Sequence, residues 1–103
     1  RLRALDVSRN KLVSLPICVC QHPSLAWLDV SFNPLRPSAL AVLPSSLLVL
    51  SLDGSVSERI PPSVWRLRDL RYLSMQHCCL STLPPDLFTS CPLLSWLILA
   101  ENK

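Results

Sequence analysis

The sequence is nearly devoid of glycine, with Gly54 as the single one among 103 residues. Loops that cradle phosphate groups, and sharp turns that present a catalytic nucleophile, depend on glycine because their backbone takes conformations that other residues disfavour. The sequence contains no glycine-rich phosphate loop, no GxSxG turn and no HExxH helix. We therefore assign no catalytic residue and no cofactor, and we expect this segment not to be an enzyme.

Long apolar runs and concentrations of positive charge are also missing. No run approaches the roughly 18 apolar residues that a transmembrane helix requires. The net charge is only +3, and the basic residues are scattered, whereas a nucleic-acid backbone is bound by a dense basic surface. The sequence therefore predicts neither a membrane span nor a nucleic-acid partner.

Leucine, by contrast, is abundant and recurs at a regular spacing. Five copies of one pattern start 22 to 24 residues apart, and further apolar residues follow three and five positions after each start. Periodicity of this kind is typical of solenoid proteins. The copies begin at Leu2, Leu25, Leu47, Leu70 and Leu94.

The chemistry of one copy predicts the fold of the whole. Two apolar residues that alternate with other residues form a short strand with one apolar face. Stacked copies bury that face against each other, and their strands pair into a parallel sheet at about 4.8 Å per strand. We expect an α/β repeat solenoid, right-handed and curved, with a five-stranded parallel sheet on its concave side. Ten prolines fall mostly between the strands, which favours an irregular or short-helical convex side.

The copies resemble the leucine-rich-repeat family, whose pattern is LxxLxLxxNxL in units of about 20 to 29 residues. The resemblance covers the whole chain and implies a segment of a horseshoe-shaped solenoid that binds proteins. Since the pattern is unfinished at Lys103, we expect further repeats or caps outside this segment. We divide the domain 1–103 into repeats at about 2–24, 25–46, 47–69, 70–93 and an incomplete 94–103.

Two subclasses of the family are suggested by the segments between the strands. Leu-Pro pairs look like those of intracellular scaffolds such as Scribble and Erbin, and they occur at Leu15-Pro16, Ile60-Pro61 and Leu83-Pro84. The longer fourth copy, with Phe88 after Leu87, leans toward a variety frequent in extracellular receptors. Five cysteines without a cysteine-rich cap, and the lack of an NxS or NxT glycosylation site, favour an intracellular location.

Polar residues that follow the strands are expected to turn inward. An asparagine side chain can bond both N–H and C=O groups of neighbouring turns, so these residues predict a buried polar ladder. The third copy departs from the pattern at Gly54 and Ser55, and we expect a distorted loop there. The ladder residues are Asn10, Asn33, Asn102 and, as a thiol in the same place, Cys78.

Cysteine and histidine form two local groups. The first comprises Cys18, Cys20 and His22, and the second comprises His77, Cys78 and Cys79. Zinc needs four converging ligands, and the two groups lie three copies apart, so we expect cysteines that fill gaps in the packing and no metal site. Redox activity at Cys79, Cys18 or Cys20 is left open.

The concave face carries the candidate binding residues. Positions that flank the inward leucines of a strand point to the opposite side of the sheet, and there they form rows across the copies. We predict a protein-binding face made of Trp27, Asp29, Phe32, Val49, Asp53, Tyr72, Gln76 and Trp96. Aromatic residues dominate interface hot spots, and carboxylates pair with a partner's basic groups. The alternative is that the aromatics only shield the sheet.

Three functions remain open at this point. The favoured one is a protein–protein interaction module, a scaffold or recruitment segment of a larger intracellular signalling protein. The others are a fragment of an extracellular receptor ectodomain and the substrate-targeting arm of a multidomain kinase or ubiquitin ligase. The sequence does not identify the partner.

Overall fold

The computed structural model describes residues 2–55, 62–80, 87–100 and 102. Five strands of three residues each form one parallel sheet, in which the order across the sheet is the order along the chain. The predicted repeat solenoid with a five-stranded parallel sheet is confirmed. The strands are β1 (Ala4–Asp6), β2 (Trp27–Asp29), β3 (Val49–Ser51), β4 (Tyr72–Ser74) and β5 (Trp96–Ile98). A strand together with the return segment that follows it is called a rung below.

The central leucines of the strands lie opposite one another across the sheet. In the three inner rungs these leucines, Leu28, Leu50 and Leu73, are completely buried. Leu5 and Leu97, in the outer rungs, are half-buried. The expected burial of the apolar strand face is therefore incomplete at Leu97, because in this chain a neighbouring rung covers β5 on one side only.

Where the structure describes them, the return segments on the convex side contain four short helical elements. Two are single α-helical turns, α1 (Ile17–Cys20) and α2 (Leu87–Ser90), and two are 3-10 helices, Pro37–Leu40 and Pro62–Arg66. Proline begins both 3-10 helices, where its missing N–H costs no hydrogen bond. The Ser63 hydroxyl donates to the Leu40 carbonyl and so ties the two 3-10 helices together. The predicted short-helical convex side is confirmed.

The loop after each of the first four strands has a residue in the left-handed conformation at one shared position, and the fourth loop has a second, Cys79, with φ 55°. The residues at the shared position have φ between 55° and 62°; they are Arg9, Phe32, Gly54 and His77. The expectation of a distorted loop in the third copy is therefore wrong for the described residues up to Ser55. Gly54 repeats the conformation of its equivalents, and the segment beyond, 56–61, lies outside the described residues.

Both ends of the solenoid expose apolar side chains. Leu2 and Val13 are exposed in the first rung, and Leu93 is exposed at the fifth. The core between them is closed, with Leu25, Leu47 and Leu70 completely buried. Within the described part of the chain, no helix is long and apolar enough to cross a membrane.

Candidate protein-binding face

The residues that precede the central leucines form a second row across the sheet. Strand pairing aligns the members of this aromatic row, which are Ala4, Trp27, Val49, Tyr72 and Trp96. Because side chains alternate along a strand, the aromatic row faces away from the buried leucines and lies on the concave side. Trp96 is 63% exposed, whereas Trp27 and Tyr72, which have rungs on both sides, are half-buried.

Two aromatic rings of this row pack against each other. The ring centroids of Tyr72 and Trp96 are 6.2 Å apart, and their planes are inclined by 40°. Tilted pairs at this separation are favourable because the positive edge of one ring approaches the negative face of the other. Rungs 4 and 5 thus present one continuous aromatic surface, which is compatible both with partner binding and with shielding of the sheet.

Carboxylates concentrate on the concave face of rungs 1 to 3. The Oδ1 atom of Asp6 accepts hydrogen bonds from the Ser8 hydroxyl (2.6 Å) and the Ser8 backbone N–H (2.9 Å), and these bonds lower the pKa of Asp6. The Oδ1 atom of Asp29 accepts from the Ser31 backbone N–H at 3.0 Å. No lysine or arginine occupies the three strand positions of any rung. The strand positions of the face therefore carry carboxylates and no basic side chain, although the chain as a whole is positive.

Asp53 belongs to a hydrogen-bond network that links neighbouring rungs. Its Oδ1 atom accepts from the Ser74 hydroxyl at 2.6 Å and from the Gln76 backbone N–H at 2.7 Å. The Ser51 hydroxyl donates to Oδ2 at 3.4 Å and lies 2.7 Å from the Ser31 hydroxyl. The carboxylate thus joins rung 3 to rung 4, and the half-buried Gln76 takes part through its backbone. Sequence reasoning proposed both residues as contacts for a partner and did not foresee this internal role.

Phe32 lies at the edge of the face, in the loop that follows β2. Its ring is 37% exposed and is flanked by the Arg9 guanidinium, 4.6 Å from the ring centroid, and by the His77 ring at 6.2 Å. A Cβ atom added to Gly54 would lie 2.6 Å from the Phe32 ring, so glycine alone fits beneath it. The sequence signal for this arrangement was available, since the four equivalent positions combine one aromatic residue with the single glycine of the chain.

Asn33 connects the first rung to the second. Its Oδ1 atom accepts from the backbone N–H groups of Asn10 (3.1 Å) and Leu12 (3.2 Å), and its Nδ2 atom donates to the carbonyls of Val7 and Val30, both at 3.0 Å. The side chain is buried. One amide thus satisfies four backbone groups, as the polar ladder requires.

The same contact recurs in the later rungs. Each side chain donates to the carbonyl at the end of the preceding strand: Ser55 to Val30 (2.6 Å), Cys78 to Leu52 (3.2 Å) and Asn102 to Met75 (2.8 Å). Sequence reasoning treated Ser55 as a departure from the pattern, but the hydroxyl fills the asparagine position. Asn10 differs from the expected buried position: it is exposed and donates within its own rung, to Val7 and Ser8, because no rung precedes it in this chain.

The cysteines do not form a metal centre among the described residues, where no group of three potential ligands converges. Cys18 and Cys79 are exposed, whereas Cys20, Cys78 and Cys91 are buried. Burial raises the pKa of the Cys20 thiol, with a smaller contribution from the charge of Cys18. Burial likewise raises the pKa of Cys91. The two buried thiols are thereby kept in their neutral form.

Comparison with known proteins agrees with this geometry. The family profile described as Leucine Rich Repeat matches residues 69–91. This match and the five-stranded parallel sheet together fit the fold of a leucine-rich-repeat solenoid segment. Toll-like receptor 10 from Bos taurus is 31% identical to it over 84 residues, which cover 81% of this chain and 10% of the receptor. The solenoid therefore spans about a tenth of the length of this relative.

Leucine-rich repeats are in general non-enzymatic modules that bind proteins. The Leu-Pro subclass of this leucine-rich-repeat solenoid stays a prediction, since two of the three Leu-Pro pairs lie outside the described residues. The described pair, Leu15-Pro16, immediately precedes α1.

Proposed function

We propose that this leucine-rich-repeat solenoid is an interaction module that holds a protein partner on its concave face. The observation that carries the proposal is the aromatic row, in which Trp27, Tyr72 and Trp96 line up opposite the buried leucines. Tryptophan and tyrosine are enriched among the residues that dominate binding energies. Exposed apolar surface on a folded protein commonly marks an interaction site.

The charges of the face specify one property of the partner. Asp6, Asp29 and Asp53 place three carboxylates on rungs 1 to 3, with no basic residue in the strands. A partner with lysine or arginine above these rungs is attracted during approach and forms charge-assisted hydrogen bonds on contact.

The parent protein is proposed to be an intracellular scaffold or recruitment protein for signalling. Two exposed free thiols, Cys18 and Cys79, suit a reducing compartment. A substrate-targeting arm of a kinase or ubiquitin ligase has the same surface requirements, and the domains of the full-length sequence decide between these parents.

A receptor ectodomain is the second candidate, and the similarity to Toll-like receptor 10 favours it. The two settings differ in the side of the plasma membrane on which the exposed thiols of Cys18 and Cys79 lie. Alkylation of the full-length protein in its native cells, before lysis and without reductant, distinguishes them. A membrane-impermeant maleimide that labels Cys18 or Cys79 in intact cells supports the ectodomain; labelling only after permeabilisation supports the intracellular setting.

The concave-face proposal is tested by pull-down from cell extract with the full-length protein as bait. A Trp27→Ala/Tyr72→Ala variant should lose partners that the wild type captures. Ile17→Ala is the matched control, since it removes an exposed apolar side chain from the convex side. The melting temperature of each bait is measured, and only variants that melt like the wild type are compared. If the double variant captures the same partners as the control, the aromatic row only shields the sheet.

A further inference from the structure

The aromatic row is interrupted by one small side chain. Val49 lies between Trp27 of the preceding strand and Tyr72 of the following strand, in register with both. Adjacent strands are about 4.8 Å apart, so the Cα atoms of the two aromatic residues are separated by about 10 Å. Valine is too short to fill the space between the two larger side chains. We call this depression, bounded by Trp27 and Tyr72 above Val49, the Val49 notch.

The width of the Val49 notch suits one flat side chain. A planar group stacked between two rings contacts each of them at about 3.5 to 4 Å, which requires about 7 to 8 Å between the ring planes. Two strand spacings, about 10 Å, leave room for such a group between the two side chains. The far side of Tyr72 is supported by Trp96, whose ring centroid is 6.2 Å away. Trp96 thus supports the Tyr72 wall of the Val49 notch from the side of rung 5.

The Val49 notch is acidic at one end. Asp29 follows Trp27 by two residues on the same strand and therefore lies on the same face, about 6.6 Å farther along. The hydrogen bond from the Ser31 backbone uses its Oδ1 atom and orients the carboxylate. Ser51, paired with Asp29 across the sheet, adds a hydroxyl that lies 2.7 Å from that of Ser31.

We propose that the Val49 notch receives an arginine side chain from an extended segment of the protein partner, a proposal that rests on the proposed function and specifies its partner. The guanidinium group lies between the rings of Trp27 and Tyr72 and pairs with Asp29. Arginine fits better than lysine because its planar guanidinium stacks on aromatic faces and donates in a fork to a carboxylate. The three carboxylates of the face disfavour acidic or phosphorylated occupants.

The proposal is tested with N-acetylarginine methylamide as the probe. The 15N-labelled chain, closed at both ends by capping repeats, is titrated while the indole N–H signals of its three tryptophans are followed. The Trp27 signal should move saturably, and the Trp65 signal on the convex side should not. N-acetylcitrulline methylamide, which keeps the shape and removes the charge, should bind at least fivefold more weakly. Equal responses to the two probes would overturn the proposal.

A variant that fills the notch separates this proposal from the broader one. Val49→Trp retains Trp27, Tyr72 and Asp29 and adds a side chain of a kind that the same row accepts in rungs 2 and 5. It should abolish the Trp27 response to the arginine probe. Ala100→Trp, on the exposed concave side of rung 5, is the control for bulk and should leave the response unchanged. Val49→Phe serves the same purpose if the larger side chain prevents folding.

The pull-down then distinguishes failure of the arginine-notch proposal from failure of the concave-face proposal. If Trp27→Ala/Tyr72→Ala removes the partners and Val49→Trp does not, the concave face binds but the arginine notch is wrong. If neither variant changes the captured partners, both proposals fall. Loss with both variants, retention with Ala100→Trp, and an at least fivefold weaker arginine response in Asp29→Asn support the notch.

Discussion

The ring of Phe32 lies directly against the backbone of Gly54, where an added Cβ atom would come within 2.6 Å of Cδ1. Gly54 also has a φ of 62°, a conformation that costs other residues roughly 1 to 2 kcal/mol. Gly54→Ala should therefore destabilise the fold by about 1 to 3 kcal/mol in urea unfolding, from strain and from displacement of the ring. In a Phe32→Ala background, Gly54→Ala should cost only the free energy that arises from the unfavourable backbone conformation. An equal cost in both backgrounds would show that the ring does not need the glycine.

Asn33 provides the second prediction. Asn33→Ala removes the partners of four backbone groups around a buried site, and each unsatisfied group costs free energy. We expect the free energy of unfolding to fall by about 1 to 3 kcal/mol. Asn10→Ala is the matched control, because Asn10 is exposed and donates only within its own rung. Equal losses for the two variants in thermal or urea unfolding would contradict the ladder assignment.

The exposed ends of the solenoid predict association of the 103-residue segment. Leu2, Val13 and Leu93 are exposed, and both outer strands have an unpaired edge within this chain. Such edges promote pairing between molecules. Light scattering at about tens of micromolar, where exposed apolar surface promotes aggregation, should show species larger than a monomer. Capping repeats at both ends should restore the monomer. A monodisperse monomer without caps would refute this prediction.

The cysteines should divide into two classes of reactivity. Thiolates are the reactive form, and burial raises the pKa of Cys20 and Cys91, so both stay protonated at pH 8. Cys18 and Cys79 are exposed. Iodoacetamide labelling followed by mass spectrometry should modify Cys18 and Cys79 first, with Cys20 and Cys91 reacting only after unfolding. Early labelling of Cys91 would show that the convex side is more open than described.

The fold could be predicted from the sequence because the leucine spacing determines both the strand positions and their register. The alternation of Trp27 and Leu28 places one residue on each side of the sheet, and the pairing of strands follows directly from the repeat. Side-chain hydrogen bonds were harder to predict, since the repeat pattern does not indicate that Asp53 accepts a hydrogen bond from Ser74 of the next rung. The role of Ser55 was missed because serine departs from the family consensus, although its hydroxyl supplies the same donor.

The sequence did not allow us to predict how exposed each residue of the aromatic row is. The sequence places Trp27, Tyr72 and Trp96 at equivalent positions, yet Trp96 is far more exposed than the other two. The difference arises from the number of neighbouring rungs and from the packing of the Tyr72 ring on Trp96, neither of which a single repeat encodes.

The central claim, that the aromatic row binds a protein partner, is tested most directly by the affinity of that partner for single variants. Isothermal titration compares wild type, Trp27→Ala and the convex control Ile17→Ala, using a partner that the full-length wild-type bait captures. Trp27→Ala should weaken binding by about 2 kcal/mol or more with little change in melting temperature, as truncation of a hot-spot residue does, and Ile17→Ala should bind like wild type. Wild-type affinity in Trp27→Ala, together with a loss in Ile17→Ala, would contradict the account and place the binding site on the convex side.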